Sequence, residues 1–231
     1  MTTETTSLRN LVIFDLDGTL IDSQRVMTSS FRLAYAQTVG PGEAPVGEFL
    51  KRLGQPFPDI LNELGLPGEM YEVFRQLSSA RVADVVTIPE AIEACHRLRA
   101  IGVDSAVITG KDRRRTEEIL AHLAIGDLFS GLVAGDDDMP GKPAPDGVLA
   151  LCERQGVAPG QTVVVGDSWV DIAAGFAAGA RTVACGWGMG TKAELRGAQP
   201  DVYIAHPTEL FGCLHGMLAQ RSVPTTSDFA S

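Results

Sequence analysis

The sequence predicts an α/β protein built on a mostly parallel sheet, with a block of short helices inserted near its amino-terminal end. Short apolar segments rich in β-branched residues alternate with segments of helical periodicity, which indicates βαβ units. Between residues 43 and 84 there is no convincing strand, and glycines and prolines divide the sequence into short helical segments. We therefore expect an α/β domain formed by residues 1–21 and 87–231 and an inserted α-helical domain formed by residues 22–86.

The elements are predicted in order from local patterns. The first strand is expected at Leu11–Phe14, because these four apolar residues run without interruption. A helix starts at Asp22-Ser23 and ends before Gly40, and Gly102 is expected to cap the helix that follows Pro89. Helices within the insertion are expected at 45–53, 58–64 and 68–83. Later strands are expected at 103–108, 131–134, 161–165, 181–184 and 202–204. Later helices are expected at 113–124, 146–155, 169–178 and 208–218, with disordered tails at 1–8 and 221–231.

Composition restricts the classes of partner. The net charge of −10 argues against nucleic acid or an anionic membrane as a partner, although a local positive site could still bind an anionic substrate. No apolar run approaches the roughly 20 residues of a membrane span, and no signal peptide is evident, so we expect a cytoplasmic monomer or homodimer. The four cysteines lack the spacing of a zinc or redox site and are expected to be free thiols: Cys95, Cys152, Cys185 and Cys213.

Polar residues stand directly after several predicted strands. Right-handed crossovers place the carboxyl ends of parallel strands along one edge, so Asp15, Thr109, Asp136 and Asp167 are expected to gather there. Asp15 and Asp17 would repel each other and raise each other's pKa unless a cation lay between them. A hard, oxygen-seeking cation such as Mg²⁺ would remove that conflict. Taken alone, however, Asp-Gly after a strand is equally typical of a simple turn.

Motifs distributed along the chain carry a family resemblance. The segment Asp15–Leu20 resembles the first motif of the haloacid dehalogenase-like hydrolases, a family dominated by phosphatases. Thr109-Gly110-Lys111, Gly141-Lys142-Pro143 and Gly166–Asp171 are similar to the later motifs. The resemblance covers roughly residues 10 to 212 and is nearest to the phosphoglycolate phosphatases. It implies a Rossmann-like core with a helical cap that closes over the active site.

The resemblance implies roles for the core residues. Asp15 would be the nucleophile that forms an aspartyl phosphate, and Asp17 the general acid and base. Thr109, with Gly110, would bind the phosphoryl oxygens. Lys142 would balance the charge of the carboxylates and bind the phosphate.

The resemblance also implies a Mg²⁺ site. Asp15, the backbone carbonyl of Asp17, Asp167 and Asp171 would hold the ion. Asp167 and Asp171 are four residues apart across a predicted strand-to-helix junction, so both can point at one metal. Ser168 is expected to be the N-cap of the helix that follows it, rather than a site residue.

The motifs do not assign roles to the polar residues of the inserted segment or to the basic residues that follow Gly110. Arg52 and Gln55, and with them Arg75, are candidate substrate contacts of the cap. Lys111 has two open interpretations, a substrate contact or a solvated lysine. The run Arg113–Arg115 is expected to be a solvated helix start.

The sequence therefore predicts a Mg²⁺-dependent phosphatase that hydrolyses a small phosphorylated metabolite, a monoester similar to phosphoglycolate or a sugar phosphate. A sugar phosphomutase with the same core is the nearest alternative, because the cap decides whether water or a sugar hydroxyl accepts the phosphoryl group. A phosphonate hydrolase would need Lys51 to form an imine, and Asp17 departs from that pattern. A catalytically inactive, phosphate-binding regulatory module is the alternative from another class, but none of the motif acids is missing.

Overall fold

The computed structural model describes residues 9–219, so both predicted tails lie outside the described residues. The strands are β1 (Leu11–Phe14), β2 (Ile21–Asp22), β3 (Val86–Thr87), β4 (Asp104–Ile108), β5 (Gly131–Val133), β6 (Thr162–Gly166), β7 (Arg181–Cys185) and β8 (Val202–Ile204). The first five helices are α1 (Gln24–Thr38), α2 (Val46–Leu50), α3 (Phe57–Glu63), α4 (Met70–Ser79) and α5 (Pro89–Ala100). The others are α6 (Arg113–His122), α7 (Asp146–Gln155), α8 (Trp169–Ala177), α9 (Lys192–Gly197) and α10 (Leu210–Ala219).

Six strands form one parallel sheet in the order β5-β4-β1-β6-β7-β8. Strand β1 is central, and its last residue, Phe14, is level with Val107 of β4 and Val165 of β6. The three strands consequently end within one residue of the same height, and the residues that come after them meet above the middle of the sheet. This arrangement confirms the predicted α/β class, including the edge strand at 202–204.

Both faces of the sheet are covered by helices. Val12 and Phe14 belong to a cluster that contains buried residues of α5 and α10, whereas Leu11 and Ile13 belong to one that contains buried residues of α7 and α8. Alternate residues of a strand point to opposite faces, so a central strand with both faces covered must be apolar throughout. All four residues of β1 are fully buried, which fixes the position of the residues after it.

Helices α1 to α4 form a hydrophobic cluster of their own. Four buried phenylalanines lie at its centre, with Phe31 stacked on Phe49 at 4.2 Å and Phe57 stacked on Phe74 at 4.1 Å between ring centroids. A separate apolar cluster is the usual basis of a folding unit. The boundary of the inserted domain nevertheless stays a prediction.

A feature not expected from the sequence joins the two ends of the insertion. Ile21 pairs with Thr87, and Asp22 pairs with Val86, in a two-stranded antiparallel ladder. Strands of two residues are too short to show an alternating pattern, which is why the sequence did not reveal them. The ladder brings the chain back to the sheet where the insertion began. Within residues 9–219 no helix is long and apolar enough to cross a membrane.

Candidate active site

The nucleophile candidate stands at the centre of the sheet edge. Asp15 is the first residue after β1, and its backbone N–H donates a hydrogen bond to the carbonyl of Val165 at 2.8 Å. The ladder between β1 and β6 thus extends one residue beyond β1 and holds the Asp15 backbone. The residue is 3% exposed, so its carboxylate faces the interior of the site.

Three carboxylates converge at this point. Side-chain oxygens of Asp15, Asp167 and Asp171 all lie within 4.8 Å of one another, and all three residues are buried. Asp167 comes directly after β6, and Asp171 lies in the first turn of α8. Ser168 occupies the N-cap position of α8, as predicted, and its backbone N–H donates to the Asp171 carboxylate at 3.0 Å. The strand-to-helix junction therefore holds both acids toward β1.

Asp136 does not join this group, although it also comes after a predicted strand. Its carboxylate accepts a hydrogen bond from the backbone N–H of Arg113 at 2.7 Å. The neighbouring Asp137 binds the Arg113 guanidinium at 2.7 Å. Asp136 therefore holds the start of α6 and does not join the three acids, because free backbone N–H groups at a helix start attract carboxylates.

Lys142 links two of the three acids. Its ammonium lies 2.6 Å from an Asp15 carboxylate oxygen and 2.5 Å from one of Asp171, and it is 3.4 Å from the Ile108 carbonyl oxygen. The side chain is 1% exposed. Burial alone would lower the pKa of Lys142, but the two carboxylates raise it above its ordinary value and so favour the ammonium form.

One ammonium does not neutralise three carboxylates. Burial raises the pKa of Asp15 well above its ordinary value. Lys142 opposes this effect, whereas the neighbouring Asp171 and Asp167 add to it. Burial and Asp171 likewise raise the pKa of Asp167 to about 7. A buried, all-oxygen donor set with excess negative charge is what Mg²⁺ requires, and a divalent cation would favour the ionised acids. The residues present therefore fit the ion that the resemblance implies.

Two glycines enclose the Asp167 carboxylate. A Cβ atom added at Gly18 or at Gly188 would lie 2.2 Å from its Oδ2. Gly18 also has a φ of +87°, which L side chains rarely adopt. The same carboxylate accepts a hydrogen bond from the Met189 backbone N–H at 2.6 Å. The Gly-rich loop after β7 thus approaches the site closely enough to hold Asp167 in place.

Asp17 is not among the three converging acids and has a different electrostatic environment. Its carboxylate accepts a hydrogen bond from the Ser23 hydroxyl and pairs with the Lys111 ammonium at 3.1 Å. Burial opposes ionisation, but Lys111 and Ser23 outweigh it and lower the pKa of Asp17. The Lys111 side chain is 2% exposed, so its interpretation as a solvated lysine was wrong.

Thr109 and Gly110 come directly after β4 and line the same cavity as Asp15 and Asp17. The Thr109 hydroxyl accepts a hydrogen bond from the backbone N–H of Lys111 at 3.2 Å. This bond turns the chain sharply after the strand and brings the loop over the carboxylates. The predicted core residues Asp15, Asp17, Thr109, Lys142, Asp167 and Asp171 are therefore all at this edge of the sheet.

The loop between α2 and α3 lies directly on the site. A Cβ at Gly110 would come within 2.2 Å of the Gln55 carbonyl oxygen, and one at Gly141 within 2.4 Å of the Pro56 ring. The cavity between this loop and the core measures about 30 Å³. Gln55 is among its lining residues. The structure thus presents the insertion closed on the core.

The other candidates of the insertion lie outside this cavity. Arg52 pairs with Glu48 at 2.9 Å and with Glu63 at 3.0 Å, and Arg75 pairs with Glu72 at 2.7 Å. Their role as substrate contacts stays a prediction. Lys51 is exposed and pairs with Glu48 at 2.8 Å, a position that does not favour an imine-forming role.

One cavity residue was missed from the sequence. Arg115 was expected to be solvated with the rest of its basic run, but it is 5% exposed and lines the cavity. Arg113 is partly exposed and Arg114 is exposed. Successive residues of an α-helix point in different directions. Arg115 can therefore face the insertion while its two neighbours face water. Periodicity within a run of three identical residues could not reveal which one.

Comparisons with known proteins agree with this geometry. The family model for haloacid dehalogenase-like hydrolases matches residues 12–185. The chain is 28% identical over 202 residues to the pyrophosphatase PpaX of Bacillus velezensis, an alignment that covers 86% of this chain and 93% of that protein.

Solved structures share the fold. A hydrolase from Pseudomonas syringae superposes with a TM-score of 0.81 at 23% identity, covering 90% of this chain and 99% of that one. A predicted phosphoglycolate phosphatase from Haemophilus somnus superposes with a TM-score of 0.75, also at 23% identity and the same coverage. The match of the family model extends over most of the chain and includes every core motif. The chain therefore belongs to the haloacid dehalogenase-like hydrolases, and the hydrolytic enzyme predicted from its sequence is confirmed at the level of that family.

Proposed function

We propose that the protein is a Mg²⁺-dependent phosphatase that hydrolyses a small phosphorylated metabolite through an aspartyl phosphate. One observation carries the proposal: Lys142 bridges Asp15 and Asp171 inside a group of three buried carboxylates. A cation held between acids in a closed site suits the stabilisation of a transferring phosphoryl group. The neighbouring hydroxyl and N–H groups of Thr109 and Gly110 supply donors for its oxygens.

In the first step a carboxylate oxygen of Asp15 attacks phosphorus, and the bond from phosphorus to the leaving oxygen breaks. Asp17 donates a proton to that oxygen. A phosphoryl group beside Asp17 raises the pKa of its carboxyl, because neighbouring negative charge disfavours ionisation, and the acid can then carry the proton.

In the second step water attacks the phosphorus of the aspartyl phosphate. Asp17, now ionised, takes a proton from this water, and the bond between phosphorus and Asp15 breaks to release phosphate. The low pKa that Lys111 and Ser23 give Asp17 against the effect of burial favours the ionised carboxylate before this step, and only the ionised form can accept the proton. Asp15, Asp167, Asp171 and the backbone carbonyl of Asp17 would hold the Mg²⁺, which neutralises charge on the phosphoryl oxygens when bound.

The closed site favours a small leaving group over a sugar. With the insertion in this position, Gln55 contacts Gly110 and Pro56 contacts Gly141 beside the phosphoryl site, which leaves little space for a bulky leaving group. Closure also excludes bulk water and strengthens the charge interactions of the site. The insertion must open for entry and release, which suits its role as a cap.

The test is phosphate release from phosphoglycolate, inorganic pyrophosphate and p-nitrophenyl phosphate, with Mg²⁺ and with excess chelator. Pyrophosphate is included because curated relatives are named pyrophosphatases. We expect metal-dependent release that falls at least about 10³-fold in Asp15→Asn, which keeps the shape of the side chain but removes its nucleophilic charge. Undiminished turnover by that variant would reject Asp15 as the nucleophile. A protein that releases no phosphate from any of these compounds would refute the proposed function.

A further inference from the structure

The guanidinium of Arg115 is a buried cation that the proposed mechanism does not use. Arg115 lies in the first turn of α6 and is 5% exposed, and it lines the same cavity as Asp15 and Asp17. Burial lowers the pKa of its guanidinium, although the charges of Asp112 and Asp17 act in the opposite direction. A desolvated cation normally requires close hydrogen-bond partners.

Within residues 9–219 the guanidinium of Arg115 contacts one acid and one aromatic ring. The nearest carboxylate oxygen is Asp112 Oδ2 at 3.8 Å, beyond hydrogen-bond distance, and that oxygen has no hydrogen-bond partner among the described residues either. The guanidinium carbon is 5.1 Å from the centre of the Phe74 ring. A guanidinium has five N–H donors, and no side-chain hydrogen bond of Arg115 is found in this part of the chain.

Other arginines near the site differ in this respect. Arg113, Arg52 and Arg75 each donate short hydrogen bonds to a carboxylate, at 2.7, 3.0 and 2.7 Å respectively. All three are also more exposed to solvent than Arg115. The most buried of these four guanidinium groups is thus the one without a hydrogen-bonded acid.

The wall around Arg115 determines what it could bind. Lys111 lies beside it and pairs with Asp17, and burial together with the charge of Arg115 lowers the pKa of Lys111. The remaining wall on this side is apolar and consists of Met27, Leu53, Phe57, Ile60 and Phe74. Asp17 is the proposed donor to the leaving group, so this wall faces the leaving group.

We propose that Arg115 binds a second anionic group, a carboxylate or a phosphate, carried by the leaving group of the substrate. The inference rests on the proposed phosphatase function. A guanidinium fork matches either anion with two parallel hydrogen bonds. The apolar wall and the small cavity restrict the leaving group to a short one, whose anion is only a few bonds from phosphorus. Glycolate and phosphate are leaving groups of this class.

The competing role for Arg115 is structural. Its contact with Phe74 joins α6 to α4, so the side chain could merely hold the insertion against the core. A structural residue would affect all substrates alike, whereas a binding residue would affect those that carry the second anion. Substrate ratios separate these roles.

Four probes of similar size provide the ratios. Phosphoglycolate and inorganic pyrophosphate carry a second anion, ethyl phosphate carries none, and phosphoethanolamine carries a cation in its place. We expect the wild-type kcat/KM to be at least about 10-fold higher for one of the two anionic probes than for ethyl phosphate, and lowest for phosphoethanolamine. A preference for phosphoglycolate identifies the carboxylate as the ligand, and one for pyrophosphate identifies the phosphate.

The variants test whether Arg115 causes the preference. In Arg115→Gln we expect the kcat/KM ratio of the preferred anionic probe to ethyl phosphate to fall about 10- to 100-fold, as expected for loss of a charge-assisted pair. Arg115→Lys keeps the charge without the fork and should give an intermediate ratio. The matched control is Arg114→Gln, because Arg114 is the exposed neighbour in the same helix.

A ratio unchanged in Arg115→Gln would overturn the inference. If that variant does not fold, an unchanged ratio in Arg115→Lys, or a wild type that hydrolyses all four probes equally, would do the same. If the protein hydrolyses the probes but does not discriminate between them, only the role of Arg115 is refuted, and the phosphatase proposal stands. A complete lack of activity on every probe would refute both proposals.

Discussion

Lys142 Nζ lies 2.6 Å from Asp15 Oδ1, although 127 residues separate the two in the chain. The contact joins the end of the central strand to the loop before α7. It is also buried on both sides, at 1% and 4% side-chain exposure. Such a pair is sensitive to the loss of either partner, because the remaining charge stays buried without compensation.

The first prediction concerns that loss. Lys142→Met leaves Asp15 and Asp171 without their shared cation, so we expect the free energy of unfolding to fall by about 3–5 kcal/mol at neutral pH without divalent metal. Urea denaturation followed by circular dichroism measures the change. Lys192→Met is the control, because Lys192 is exposed and should lose less than about 1 kcal/mol. Equal losses in the two variants would show that the buried pair contributes no special stability.

A second prediction concerns the metal. Because the three carboxylates carry excess charge, Mg²⁺ should stabilise the folded protein by about 2.7 kcal/mol at 100 times its dissociation constant. Titration of the melting temperature with MgCl₂ measures this. Asp167→Asn removes one donor and should abolish the dependence on Mg²⁺ below millimolar concentrations. Asp136→Asn should retain it, because Asp136 lies at the start of α6 and not among the three acids. A wild type whose melting temperature does not change with Mg²⁺ would contradict the metal site.

The core site could be predicted from the sequence because its residues stand directly after strands. A strand buried on both faces is recognisable as an apolar run, and parallel topology then places the residues after each strand at one edge. This reasoning located Asp15, Thr109 and Asp167. It failed for Asp136, because a carboxylate beside a helix start has an alternative partner in the backbone N–H groups.

The contacts between the insertion and the core could not be predicted in this way. The burial of Arg115 depends on Phe74 from a distant helix, and the closeness of Gln55 to Gly110 depends on how the two parts pack. No local pattern records such packing. The same holds for the ladder of β2 and β3, whose four residues gain their pairing only when both ends of the insertion meet.

A third prediction concerns the contact of the insertion with the core. Gly110→Ala places a Cβ atom 2.2 Å from the Gln55 carbonyl oxygen, which is backbone and cannot swing away. We expect the loop to be displaced and kcat/KM to fall at least about 10-fold, with an overpacking cost of about 1–3 kcal/mol. Steady-state kinetics and thermal denaturation measure the two effects. Gly197→Ala is the control, since no heavy atom would lie within 4 Å of its new Cβ. Activity equal to wild type in Gly110→Ala would show that closure of this loop does not limit turnover.

The last prediction tests whether α1 to α4 form a separate folding unit. Phe49 is fully buried and stacks on Phe31 at 4.2 Å, so Phe49→Ala should cost about 3–5 kcal/mol. If the insertion is its own domain, the substitution lowers the free energy of local opening of the insertion alone. Hydrogen exchange should then accelerate in α1 to α4, whereas β1, β4 and β6 keep their protection. Phe176→Ala is the matched control, because Phe176 is 78% exposed and its truncation leaves no cavity. Acceleration that extends equally into the central strands would mean that the insertion and the sheet unfold as one cooperative unit, and the predicted boundaries at residues 22 and 86 would then be wrong.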